Sequence, residues 1–261
     1  SWHFMAFLPP LPSTLRERLR PAVSHAPDHT AALPPPRRVP GVASPHVLYL
    51  LRTTLRSRSN PALEVGLRMA SALDLPLVCV AVIEDTFPAT MRSAGGRWRP
   101  TARAAAFRAE ALRELQPEFA ARGTCLWVHV ERDGCRAVVA MSLAARAALV
   151  VTDEHFGVEP HASAATRTAQ TGAPLWLCDG ACTLPAPLMA SLGDAALRGG
   201  NAGFLRATAD LRGQRLADPS YPCGVAAPQP MRAPPAAPVW AVELGAAGEL
   251  EALLEASARR D

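Results

Sequence analysis

Between His46 and Cys178 the chain carries five apolar runs of strand length with almost no polar alternation inside them, and this restricts the fold more than any other feature. The runs are His46–Leu51 (HVLYLL), Pro76–Ile83 (PLVCVAVI), Cys125–Val130 (CLWVHV), Leu149–Thr152 and Leu175–Cys178. A strand solvated on one face alternates apolar and polar residues, whereas a strand covered on both faces does not. Segments of helical spacing separate the runs. Pro61–Leu73 carries Leu63, Leu67, Met69, Ala70 and Leu73. Thr101–Arg122 carries Leu112, Leu115 and Phe119 and stops at Gly123. Cys135–Arg146 follows, then a weaker His161–Gln170. Strand and helix in alternation, joined by right-handed crossovers, predict an α/β fold: a doubly wound five-stranded parallel sheet of Rossmann-like type over residues 46–185.

The flanks read differently. Pro recurs at 9, 10, 12, 21, 27, 34, 35, 36, 40 and 45. A chain so poor in backbone donors forms no regular core, so residues 1–45 are expected to be a Pro-rich N-terminal arm. It holds one short amphipathic piece, Ser13–Arg20. Its first residues, Trp2, Phe4, Phe7 and Leu8, are apolar enough to seek burial, and the arm is expected to reach other protein chains and to be dispensable for the α/β domain. Residues 186–261 read as an irregular C-terminal extension, with a short helix around 201–211 and an amphipathic stretch at Val239–Ala258. Hydrophobic residues make up 49% and charged residues 19%, which fits a folded domain and excludes a disordered chain. Aromatics at 5% do not supply a base-stacking surface. The net charge of +4 comes from arginine alone, since lysine is absent and Ile83 is the single isoleucine; such a composition reflects GC-rich coding more than nucleic-acid binding.

The six cysteines, at 79, 125, 135, 178, 182 and 223, form no CxxC pair or zinc spacing. No metal site is expected, and the thiols read as reduced core residues of an intracellular protein. No apolar run is long enough to span a membrane, and no signal peptide is visible. The chain begins at Ser1, which suggests a processed form or a fragment. An Arg-rich, acid-poor start suits the remnant of a transit peptide, so an organelle such as the chloroplast is expected, with cytoplasm or nucleus as the alternatives.

In an open parallel sheet, ligands bind beyond the carboxyl ends of the strands where the strand order reverses. The segments there are Arg52–Asn60, Glu84–Pro88, Asp153–Gly157 and Asp179–Gly180. The first loop lacks the glycines of a dinucleotide fingerprint, and no GxxxxGK[ST], GxSxG or HExxH occurs, so no catalytic residue is assigned. Asn60 before Pro61 reads first as a helix cap. Arg52, Arg56 and Arg58 suit either an anion site or a solvated loop, and Asp153 either a ligand contact or a turn cap.

Taken in order, these segments resemble the N-terminal α/β domain of the DNA photolyase and cryptochrome family, with the class II branch the nearest in loop chemistry. The resemblance rests on His46-Val-Leu-Tyr-Leu-Leu-Arg52 followed by Arg56 and Asn60-Pro-Ala-Leu63, and on Pro76–Ile83. It continues through Phe87-Pro88, Arg103, Phe107 and Leu112–Leu115, then Val150–Asp153, Trp176–Gly180, Gly203–Arg206 and the stretch from Trp240. Ser59 stands where the family has an acidic residue, and Met91–Pro100 is an added segment whose Arg92, Arg97, Trp98 and Arg99 suit partner contacts. The resemblance implies an antenna pigment, deazaflavin or folate, near Arg52, Asn60, Glu84 and Asp153. It places FAD and the lesion site of deoxyribodipyrimidine photolyase in a helical domain that this sequence lacks. FAD, catalysis and DNA binding are therefore not expected of this chain. The leading expectation is a non-catalytic accessory or scaffold subunit of a larger assembly. The alternatives are an antenna-domain fragment of a photolyase and a small-ligand-binding domain of stress-protein type.

Overall fold

The structure, a computed structural model, describes residues 11–21, 45–83, 101–131, 139–154, 171–192, 200–218, 221, 223 and 232–258. The strands are β1 (Leu19–Pro21), β2 (His46–Leu51), β3 (Leu77–Ile83), β4 (Cys125–Val130), β5 (Ala147–Asp153) and β6 (Leu175–Cys178). The helices are α1 (Ser13–Arg16), α2 (Pro61–Leu73), α3 (Ala102–Ala121), α4 (Val139–Ala144), α5 (Ala186–Leu192), α6 (Gly200–Ala207), α7 (Ala209–Ala217) and α8 (Glu249–Ala258). The sheet order is β1-β6-β5-β2-β3-β4, with every pairing parallel except β1 against β6.

The five expected strands are thus present and parallel. From β2 the chain winds outward to β3 and β4, then returns to lay β5 and β6 on the other side. The order reverses between β2 and β5, which fixes the switch point there. All six residues of β2 are buried, because alternate side chains serve opposite faces. Val47, Tyr49 and Leu51 join Leu63, Leu67, Leu112 and Phe119 of α2 and α3 in one core. Leu48 and Leu50 join Val78, Val80, Trp127, Val139 and Leu143 in the other.

Local chemistry sets the helix ends. Asn60 Oδ1 accepts the Leu63 N–H at 3.0 Å with Pro61 in the first turn, so the expected cap is in place. Thr101 Oγ1 accepts the Ala104 N–H at 3.2 Å, and Gly123, at φ 73°, follows the end of α3.

Three expectations are corrected. Among the described residues the sheet has six strands, because part of the supposed arm belongs to it. Leu11 and Leu15 are buried in the core, and Leu19–Pro21 pairs with Trp176–Cys178. A three-residue strand ending in Pro can serve only at a sheet edge, where the missing donor faces away from the ladder. Trp2, Phe4, Phe7 and Leu8 lie outside the described residues, as do Arg92, Arg97, Trp98, Arg99 and the segment 161–170. Second, Val239–Ala258 is not one helix. It becomes helical only at Glu249, after Gly248 with φ 82°. Third, the C-terminal extension is docked. Val242 bridges Val128 of β4, and Leu244 and Leu250 are buried in the core beside α3. Among the described residues no helix is long and apolar enough to cross a membrane.

Candidate functional site

At the switch point the end of β5 meets the loop after β2. Asp153 Oδ2 accepts the successive backbone N–H groups of Arg52, Thr53 and Thr54 at 2.8, 3.0 and 3.2 Å. Its Oδ1 accepts the Tyr49 hydroxyl at 3.0 Å. That hydroxyl in turn accepts from Asn60 Nδ2 at 3.1 Å, and the same amide donates to the Arg56 carbonyl at 2.9 Å. Burial first, and then the charge of Asp153, hold the Tyr49 phenol well above its ordinary pKa. Tyr49, Asn60 and Asp153 are all buried, and their polar atoms are spent on one another and on the loop. The network is what gives residues 52–60 their shape.

Neighbouring contacts tighten the same loop. Arg56 donates to the carbonyls of Ser59 at 2.9 Å and Gly180 at 2.6 Å. A Cβ at Gly180 would lie 2.6 Å from Thr54 Oγ1, so glycine permits the two loops to touch. Asp179 caps the turn after β6, accepting from the Ala181, Cys182 and Ala186 N–H groups at 3.0, 2.9 and 3.0 Å. Glu154 is paired with Arg20 of β1. Burial raises its pKa, and Arg20 lowers it in part.

In front of this scaffold lies a cleft of about 340 Å³. Leu50, Val80 and Val82 form its apolar floor at the ends of β2 and β3. Ala104 and Ala105, in the first turn of α3, keep the opposite wall low, and Phe107 stands at the rim, 66% exposed. Two arginines line it. Arg52 comes from the loop, and Arg108 donates to the carbonyls of Arg52 at 2.6 Å, Val82 at 3.4 Å and Leu51 at 3.5 Å. An apolar floor, an aromatic edge, fixed cations and a helix N-terminus suit a flat ligand with an anionic or carbonyl-rich edge.

Of the expected pigment residues, Arg52 lines the cleft, while Asn60 and Asp153 stand behind it as the frame of its loop. Glu84 lies outside the described residues. Phe107 and Arg108 were not among the candidates. Phe107 lies off the stripe marked by Leu112, Leu115 and Phe119, and an aromatic on the polar side of a helix is the signal that points to it.

The family model for DNA photolyase matches residues 47–191, more than half of the chain. The chain belongs to the DNA photolyase family. Its matched part covers the parallel sheet from β2 to β6, and the photolyase match takes in both walls of the cleft. No curated protein matches the chain.

Proposed function

We propose that this photolyase α/β domain serves as a light-harvesting domain, holding a planar pigment of deazaflavin or folate type in the cleft between the ends of β2 and β3 and the start of α3. The cleft itself carries the reading: an apolar floor, the exposed Phe107 ring and the cations of Arg52 and Arg108 converge beyond the strand ends of a photolyase sheet. Its volume of about 340 Å³ sits at the low end of the roughly 300–1,000 Å³ typical of small-molecule sites. That size takes one chromophore ring system and does not take a whole flavin dinucleotide. Bound there, the pigment would supply light absorption. The protein's part is to stack the ring on Phe107, pair its anionic edge with the guanidinium groups, and keep water from its inner face. The class II affinity of the first loop is carried within the same proposal.

Soaking crystals with a deazaflavin and with a folate tests the placement. Density against Phe107 and Arg108 supports it, and density at the amino-terminal edge of the sheet overturns it.

A second reading, an accessory unit within a larger assembly, has one observation of its own. Neither α6 nor α7 contributes a buried side chain, and Leu205 and Leu216 are 41% and 76% exposed. Apolar side chains left in solvent along two helices suit a protein contact. Leu216→Glu should then weaken co-purification of a partner while leaving pigment binding intact.

A further inference from the structure

We propose that His129 is a pH-operated latch: protonation of its ring undocks the C-terminal segment around Trp240 from the outer strand of the sheet. β4 is the last strand of the sheet, and residues 238–244 run along its free side. Val242 donates its N–H to the Val128 carbonyl at 2.8 Å. Gln116 of α3 grips the same segment, donating to the Val242 carbonyl at 2.9 Å and accepting the Leu244 N–H at 2.9 Å. On the other face of the strand, Trp240 packs edge to face on Trp127 at 5.7 Å and on His129 at 5.8 Å between ring centroids.

His129 is 8% exposed, and neither of its ring nitrogens has a hydrogen-bond partner among the described residues; the same holds for Trp240 Nε1. A neutral imidazole bears such a site at modest cost. An imidazolium would bury a charge under an indole ring, where the Trp240 backbone favours it but burial opposes it more strongly. Among the described residues the surroundings offer little to hold it. Val82, the paired residue on β3, has no charge, nor do Pro238, Trp240 and Ala241 of the segment or any residue of α4. Among the described residues, the charged groups of the packed elements are Glu131, two residues further along the chain, the exposed Glu243 of the segment, and Arg108, which donates to the Val82 carbonyl at 3.4 Å. The carboxylates favour protonation and the guanidinium opposes it.

The sign follows from burial. Burial holds the His129 pKa below its ordinary value, and the backbone of Trp240 offsets part of that. Undocked, the ring takes a proton near the usual value of about 6.5. The docked form is therefore at full stability above about pH 6.5 and loses stability as pH falls below it. The segment yields before the sheet because β4 is paired with β3 along its whole length, whereas the segment has one bridge to it.

Amide hydrogen exchange of the full chain, expressed as protection factors corrected for intrinsic rate, tests the latch. Between about pH 7.5 and about 5.5, protection of the Val242 and Leu244 amides should fall several-fold, up to the limit of about tenfold that one group with an undocked pKa of about 6.5 allows, while the β2 amides hold. His129→Phe and His129→Gln should keep the two amides protected at both pH values. If His129→Phe does not fold, His129→Gln carries the comparison. Protection that stays flat in the parent chain, or that falls equally in the folded variants, overturns the proposal.

Discussion

Asp153 occupies the place an anion takes in a backbone nest: one carboxylate oxygen collects three consecutive N–H groups of the 52–54 turn. Its position at the end of a buried strand was visible in the sequence. Its role was not, because an Asp there serves equally as ligand contact or as cap, and the deciding donors lie about a hundred residues upstream. Asp153→Ala should cost about 3 kcal/mol or more, since it leaves those donors and the Tyr49 hydroxyl unpaired in the interior. Urea denaturation measures this, and a loss below about 1 kcal/mol would mean that the turn is held by other contacts. Phe107 makes the opposite case. It is mostly in solvent, so Phe107→Ala should leave stability within about 0.5 kcal/mol of the parent by the same measurement. Arg18 shows how far a single side chain can hide from sequence reading. It is 1% exposed, donates to the carbonyls of Asp179 at 2.8 Å and Cys182 at 2.9 Å and to the Tyr221 hydroxyl, and stacks over that ring at 4.8 Å. Burial lowers its pKa, and the charge of Asp179 raises it in part. An arginine in a Pro-rich stretch gives no hint of such a partner set.

Strands buried on both faces were legible, as were the apolar stripes of α2 and α3, and the short edge strand was not. β2 to β6 announce themselves because helices cover both sides of the sheet, so nearly every position is apolar. β1 has three residues, a single neighbour and a terminal Pro, and nothing in that pattern separates it from the arm around it. In the C-terminal stretch Leu250, Leu253 and Leu254 share one helical face, and Leu244 extends the apolar pattern ahead of them; Gly245 and Gly248 lie between, and the helix starts only after the second. The cleft was half legible for the same reason. Its strand-end residue, Arg52, follows from topology, whereas Phe107 lies off the core stripe of α3 and Arg108, four residues before Leu112, puts a charge on that stripe. Removing residues 1–21 should therefore destabilise the domain, against the expectation of a dispensable arm. Leu11 and Leu15 alone contribute about 1.5–3 kcal/mol each when buried. A drop in Tm of roughly 6 °C or more is the expected outcome of a thermal melt, and an unchanged Tm would return residues 11–21 to the arm.

At the scale of the molecule, the two ends of the chain close the two edges of one sheet. β1 covers β6 on one side with an antiparallel pairing, and the segment around Val242 covers β4 on the other. An open parallel sheet with bare edges invites pairing with a second copy, and short capping segments prevent it. Removing residues 232–261 should leave the Gln116 amide without its Val242 and Leu244 partners and uncover the β4 edge. Light scattering of that truncated chain should rise on mild warming, while the parent stays clear. The same closure leaves the carboxyl ends of β2 and β3 as the place where the cleft opens, and the central claim is that this cleft holds a planar pigment. Equilibrium titration of the purified chain with a deazaflavin and with a folate, in the parent and in Phe107→Ala, tests it most directly. Saturable binding of one of the two at about one per chain, weakened about tenfold or more by Phe107→Ala, is the predicted result, since tenfold is about 1.4 kcal/mol and an aromatic contact supplies that much. Absence of saturable binding for both pigments, or equal affinity in the two proteins, would contradict the account.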